Sequence, residues 1–382
     1  MSDKAAILNR LHFDHPGSYL RTEELLRARL GAEKHEVSKA ELRAVEDRTI
    51  AGLVAKQLAV GMPVVTDGEA RRAYFHLDFL QQLEGGKYFG VTVSHNNLDT
   101  GDANWTPPVL TITGKIRHVR PIQLDDFLFL KARAGSAVPK VCIPSPTMAH
   151  FRGGRAAISQ EVYPELDDFF ADLVAAYRAE IRSLYDAGCR FIQLDDTNLA
   201  YLCDAKMRAS VAERGDDVES LPDRYAALIN ACIQDRPSDL VIGMHLCRGN
   251  FRSRFFASGG YEPVAKTIFE DIKLDVLYLE WESDRAGNFE PLRFLVPGRK
   301  VVLGLLSSKF SDLEDKGQII RRINEASKFC KGGLNQLALS TQCGFSSTYH
   351  GNAIREEDQW KKLALIREIA DEVWSSKSSG QA

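Results

Sequence analysis

The amino-acid sequence predicts an α/β fold, a (β/α)8 TIM-type barrel with an insertion after the second strand. Three observations lead there. Eight short apolar runs recur along the chain, most followed by a polar or glycine-containing turn and then an amphipathic segment, the alternation expected of βα units. Several runs are apolar almost throughout, as in parallel strands covered on both faces. Reactive side chains gather just past the ends of these runs, where a barrel opens its catalytic mouth. A length of 382 residues suits one such barrel with insertions, so residues 1–382 read as a single domain.

In chain order the predicted strands are His12–His15, Pro63–Thr66, Lys140–Ile143, Phe191–Leu194, Leu240–His245, Val276–Glu280, Val301–Leu305 and Gln336–Ser340. Helical patterns cover Pro164–Ala187, Pro222–Gln234, Leu313–Phe329 and Glu356–Trp374. Residues 71 to 137 interrupt the alternation; they are rich in Gly, Asn and Thr and hold one β-like run, Val109–Ile116. A stretch this long without helix–strand alternation reads as an inserted hairpin or lid. The Ser/Lys/Gly-rich end, residues 375–382, is expected to be disordered.

With 44% apolar and 26% charged residues the chain can bury a large core without disulfides. A net charge of -3 argues against nucleic acid as the main partner. No apolar window of membrane-spanning length occurs, and Met-Ser-Asp-Lys-Ala-Ala lacks the apolar stretch of a secretory signal. No membrane association and a cytoplasmic location are therefore expected. Seven cysteines at irregular spacing suit free thiols in a reducing compartment. Cys142, Cys189, Cys203, Cys232 and Cys330 read as small buried residues of that kind.

Strand ends single out the remaining candidates. The second predicted strand runs into Thr66-Asp67-Gly68-Glu69, the fourth into Asp195-Asp196, the fifth into His245-Leu246-Cys247. The sixth ends in Glu280-Trp281-Glu282 and the eighth in Thr341-Gln342-Cys343-Gly344. On an extended segment residues two apart share a face, so His245 and Cys247 can grip one ion. Zinc takes Cys, His and carboxylate ligands, and a catalytic site keeps a position for substrate. Glu280 and Cys343 are the further ligands within reach. Spacing alone leaves a metal centre and an ordinary structural cluster both open.

Six motifs then carry a family resemblance: Asp14-His15-Pro16-Gly17-Ser18, Thr66-Asp67-Gly68-Glu69, Ile192-Gln193-Leu194-Asp195-Asp196, His245-Leu246-Cys247-Arg248-Gly249-Asn250, Asp275 through Glu280, and Ser340-Thr341-Gln342-Cys343-Gly344-Phe345. From about Phe13 to Trp360 the chain resembles the catalytic C-terminal half of cobalamin-independent methionine synthase, and more closely its shorter single-barrel relatives. The resemblance implies a methyltransferase like those that move a methyl group from methyltetrahydropteroyl-glutamates to homocysteine. It implies zinc as cofactor, on His245, Cys247, Glu280 and Cys343. It places homocysteine on Gly17, Ser18, Glu69 and Asp195, with carboxylates for the ammonium and the turn for the carboxylate.

Two departures bear on the second substrate. The N-terminal half of the full-length enzymes is absent, and Ser307-Ser308-Lys309 stands where they carry a histidine. The methyl donor is left open among a folate, a methylcorrinoid protein and a small methyl compound. Lys309, Arg248 and His95 are the candidates for assisting the leaving group, with Lys309 taken as the catalytic residue. Asp67 and Asp196 read equally as helix caps, and Glu69 as a buried partner of Arg71 or Arg72. Arg248 and Asn250 read as residues that order the loop after the fifth strand. Tyr74, Phe75, Phe79 and Trp281 read as packing residues; His12, His15, His76, His118 and His150 read as surface or satisfied core histidines. Two other functions fit the same motifs: alkyl transfer joining another small thiol to an electrophile such as an epoxide, and non-catalytic zinc or thiol binding.

Overall fold

The protein is described from a computed structural model, in which residues 3–89 and 109–375 are described. Nine strands are present among them: β1 Val64–Val65, β2 Glu84–Phe89, β3 Val109–Arg117, β4 Val138–Pro144, β5 Phe191–Asp196, β6 Val241–Leu246, β7 Val276–Glu280, β8 Lys300–Leu306 and β9 Leu337–Thr341. Seven of them form one parallel sheet in the order β1-β4-β5-β6-β7-β8-β9. This is a TIM-type barrel sheet, curled so that its strand ends share one mouth. The antiparallel pair β2–β3 lies in the stretch between β1 and β4.

The burial pattern explains why these runs became strands. β5, β6, β7, β8 and β9 are buried at every position, as expected when helices cover one face and the barrel interior the other. The helix Leu166–Asp186 buries Phe169, Phe170, Leu173, Ala176, Tyr177, Ile181 and Leu184, spaced as one apolar stripe. At the amino-terminal end, Ile7 and Leu11 close the barrel over Val64, Phe191, Val241, Val276, Val302 and Ala338. Among the described residues no helix is long and apolar enough to cross a membrane. All seven cysteines are free and buried.

The first predicted strand departs from this pattern. His12–His15 makes a single parallel bridge, Phe13 with Leu339, through Leu339 N–H to His12 O at 2.9 Å and Asp14 N–H to Leu339 O at 3.1 Å. Pro16 follows at once and offers no backbone donor. The chain instead turns across the mouth, where Tyr19 N–H meets Gly68 O at 3.1 Å and Thr66 Oγ1 meets Gly17 O at 3.2 Å.

A buried ion pair ties this segment to the barrel interior. Lys140 Nζ lies 2.6 Å from Asp14 Oδ2 and donates to His15 O at 2.9 Å, while the Tyr278 hydroxyl donates to the same carboxylate at 2.5 Å. Removing one partner strands a buried charge. Lys140→Met is expected to lower the unfolding free energy by about 3–5 kcal/mol in urea denaturation, with much of the loss recovered when Asp14→Leu is added. A Lys140→Met chain as stable as the parent contradicts this account of the pair.

Candidate active site and metal centre

Parallel pairing sets the register of the mouth. Asp195 on β5 sits opposite His245 on β6, and Glu280 ends β7. Cys247 and Cys343 follow β6 and β9 by one and two residues. The ligand atoms of His245, Cys247, Glu280 and Cys343 all lie within 4.8 Å of one another, and all four residues are buried. The two sulfurs are 3.4 Å apart.

The surroundings orient each ligand. His245 Nδ1 lies 3.2 Å from the Tyr278 carbonyl, an acceptor only, so Nδ1 carries the proton. That leaves Nε2, buried with no hydrogen-bond partner, to face the sulfurs. Glu280 accepts Arg248 N–H at 2.9 Å on Oε1 and the Arg285 guanidinium at 2.7 Å on Oε2. Burial works against the Glu280 carboxylate, but Lys309, Arg285 and His245 outweigh it and hold its pKa below the usual value. Cys247 receives Gly249 N–H at 3.3 Å. Ser308 braces the Cys343 loop by donating to Gly344 O at 2.9 Å, and Asn250 Nδ2 donates to the same carbonyl at 2.7 Å.

The two sulfurs and the imidazole also shift one another's proton affinity. The Cys247–Cys343 sulfur contact, in which either sulfur can donate, lifts the Cys247 thiol well above its usual pKa and drops Cys343 well below. Burial pulls His245 down, but the Cys343 sulfur, Asp195 and Glu280 outweigh it and raise its pKa to about 9. An S2NO donor set of this size, with an orphaned Nε2, fits zinc.

Glu69 and Asp195 form a second buried group with Cys142, their ligand atoms again within 4.8 Å of one another. Glu69 has a left-handed backbone, φ 55°, rare for a residue with a side chain. Arg21 clamps its carbonyl at 2.8 Å and Asp67 accepts its N–H at 2.9 Å. The turn before it is equally constrained: a Cβ on Gly17 (φ +148°) would lie 2.5 Å from Glu69 Oε1. Asp195 accepts Gln193 Nε2 at 2.7 Å. Burial above all raises both carboxyls: Glu69 to about 8, with Asp195 adding to the rise and Arg72 opposing it, and Asp195 to about 6, with His245 and Gln193 opposing. Glu69 Oε2 is buried and unpartnered by hydrogen bonds; its nearest cation, Arg72, is 4.0 Å away. The two buried carboxyls thus share one wall, and one oxygen of Glu69 is left without a hydrogen bond among the described residues.

Both groups open onto a cavity of about 690 Å³, whose walls include Ser18, Glu69, Asp195, His245, Cys247 and Cys343. Residues 15–371 match the family model of the cobalamin-independent synthase catalytic domain. The chain belongs to the cobalamin-independent synthase family. Among its relatives, uncharacterized protein YxjH of Bacillus subtilis is 43% identical over 362 residues, covering 94% of each chain. Methionine synthase of Pyrococcus abyssi is 22% identical, covering 86% of this chain and 84% of that one. A solved structure from Listeria monocytogenes, named as a candidate vitamin-B12 independent methionine synthase, superposes with a TM-score of 0.76 at 37% identity, covering 95% of this chain and 98% of that one. The B12-independent methionine synthase of Shewanella sp. W3-18-1, solved with selenomethionine, shares the fold: TM-score 0.73 at 17% identity over 97% and 99% of the two chains.

Within this cobalamin-independent synthase fold the four predicted ligands come together, as do Gly17, Ser18, Glu69 and Asp195. Ser18 accepts Ser346 N–H at 3.2 Å, which ties the first turn to the Cys343 loop. Lys309 is buried behind the loop that follows β6; its ammonium donates to Gly249 O at 3.4 Å and is not part of the cavity wall. Arg248 packs its guanidinium over the Tyr261 ring at 4.3 Å, also off the cavity. His95 lies outside the described residues. Asp196 caps the turn after β5 through Asn198 and Leu199 N–H groups. Phe79 and Trp281 are core residues, whereas Tyr74 and Phe75 line the cavity. Sequence reasoning missed Arg285, whose only signal was its place on the turn five residues after Glu280, and it read His76 as a surface or satisfied core histidine, whereas His76 is buried and neither ring nitrogen has a partner among the described residues.

Proposed function

We propose that this protein methylates the sulfur of homocysteine to give methionine, with zinc held by His245, Cys247, Glu280 and Cys343. The observation that carries the reading is the shared cavity: a metal-type cluster with two cysteines and a pair of buried carboxyls face one space. The selenomethionine bound by the Shewanella relative is a selenium analogue of that product. A zinc ion in this cluster would supply the charge that keeps a substrate thiol ionised at neutral pH.

The chain's own residues do the rest. Glu69 and Asp195 take the α-ammonium, and the Gly17–Ser18 turn takes the carboxylate, so the sulfur end is directed toward the cysteines. Glu280, held charged by Lys309 and Arg285, would be an anionic ligand beside the two cysteines and would offset part of a zinc ion's charge. In the transfer the S–CH3 bond forms as the bond from methyl to the donor breaks. The electron pair leaves with the donor, and the proton lost by the thiol balances the one the leaving group gains. A sulfonate thiol has no ammonium to place between Glu69 and Asp195, so the amino-acid thiol is the better acceptor.

Stripping the protein with a chelator and restoring zinc tests the reading: homocysteine methylation is expected to vanish and return, and activity in fully zinc-free protein contradicts it. A second expectation concerns protons. Glu69, with its raised pKa of about 8, is mostly protonated at pH 7. An entering ammonium favours the ionised form, so binding expels a proton, and the release fades as pH rises past 8. Methionine, which has no thiol to ionise, is the probe. Calorimetry at pH 7 in buffers of different ionisation enthalpy should give a release approaching about one proton per site. Glu69→Gln should abolish it; proton uptake by the parent contradicts the assignment.

A further inference from the structure

The cavity wall extends beyond the metal-type cluster and the paired carboxyls to Phe75, His76, Phe151, Arg152, Tyr201 and Met207. At about 690 Å³ the space is of the size that takes drug-like ligands, more than one small amino acid requires. His76 is the unusual residue there. It is 4% exposed, and both Nδ1 and Nε2 are buried without a hydrogen-bond partner among the described residues. Buried polar groups are nearly always hydrogen-bonded. The other buried histidines follow that rule on at least one nitrogen: His15 bonds Thr341 and Ser18 O, His150 the Tyr225 hydroxyl, and His245 the Tyr278 carbonyl.

The main chain at this position is committed, since His76 O accepts Leu80 N–H at 3.0 Å. The Phe75 ring lies 4.5 Å from the imidazole, and that ring offers no conventional acceptor or donor. Burial first, and then the Arg152 charge, keep the imidazole neutral at physiological pH. A neutral imidazole presents one N–H donor and one lone pair. Homocysteine's ammonium, carboxylate and sulfur are already matched elsewhere in the cavity, so this unused pair of valences belongs to the other substrate.

We propose that His76 is the residue that recognises the methyl donor, hydrogen-bonding the group the methyl leaves and holding it toward the thiol. The inference rests on the methyl-transfer reading above. With Arg152 adjacent, the donor class favoured is neutral or anionic rather than a sulfonium cation.

The test uses zinc-loaded parent, His76→Phe and His76→Gln chains with homocysteine and three donors: 5-methyltetrahydrofolate, methylcobalamin and S-methylmethionine. Methyl methanesulfonate, a small electrophile that needs no recognition, serves as the fourth methyl source. With the donor the parent uses, His76→Phe should lose at least about tenfold in kcat/KM, carried by the donor's KM. The KM for homocysteine and the rate with methyl methanesulfonate should stay within about twofold of the parent. His76→Gln, which keeps a donor and an acceptor, should recover part of the loss. Parent-like donor kinetics in His76→Phe overturn the inference, as does an equal loss with methyl methanesulfonate, and so does use of S-methylmethionine alone. A parent chain that methylates homocysteine from none of the three donors overturns the methyl-transfer reading, and this inference with it.

Discussion

Replacing Cys343 by alanine is expected to cut bound zinc from about one ion per chain to roughly a tenth or less, and homocysteine methylation by about three orders of magnitude. The size follows from what Cys343 does in the cluster. Its sulfur is the one that Cys247 and His245 both meet: it lies 3.4 Å from that of Cys247 and is the main influence raising the His245 pKa. Without it, three ligands remain and one of the two negative sulfurs is gone. Metal analysis by mass spectrometry and a methylation assay read the two effects separately. Full zinc occupancy in Cys343→Ala would place the metal elsewhere. Ligand loss should act on binding rather than on folding, because Ser308 and Asn250 anchor the loop through Gly344 O.

Asp195→Asn is expected to reduce kcat/KM for homocysteine by about a hundredfold, the worth of roughly 3 kcal/mol for a buried hydrogen bond to a charged group. The specific outcome is the contrast with 4-mercaptobutanoate, which has the same chain and carboxylate but no ammonium. For that compound the parent and the variant should differ by less than about threefold. The carboxyl sits 2.7 Å from Gln193 Nε2, which also donates to Pro16 O at 2.6 Å. Asparagine preserves the shape and an acceptor for Gln193 while removing the charge. Equal losses with both thiols would show that Asp195 supports the local structure and does not recognise the ammonium.

Much of this architecture could be read before any coordinates, and the reason is parallel pairing. Runs such as Phe191–Leu194 and Val276–Glu280 are buried on both faces, so they stand out as continuous apolar segments and match β5 and β7 closely. Because every barrel strand points the same way, the residues just past those runs must share one mouth. That placed His245, Cys247, Glu280 and Cys343 together. His12–His15 was harder, since a segment that forms one bridge differs little in composition from a strand. His76 and Arg285 were out of reach for another reason. Whether a loop residue faces the cavity depends on turns such as the left-handed Glu69, and on neighbours far away in sequence. Lys309 illustrates the converse: its position after β8 suggested the mouth, yet the β6 loop covers it.

The central claim is that four side chains meet around one zinc ion that also accepts the substrate's sulfur. X-ray absorption at the zinc edge, on zinc-loaded protein with and without homocysteine, reads this directly. Two sulfur neighbours in the free protein, from Cys247 and Cys343, should become three when homocysteine is added. A sulfur count unchanged by homocysteine, or a free-protein shell without both cysteines, would contradict the account.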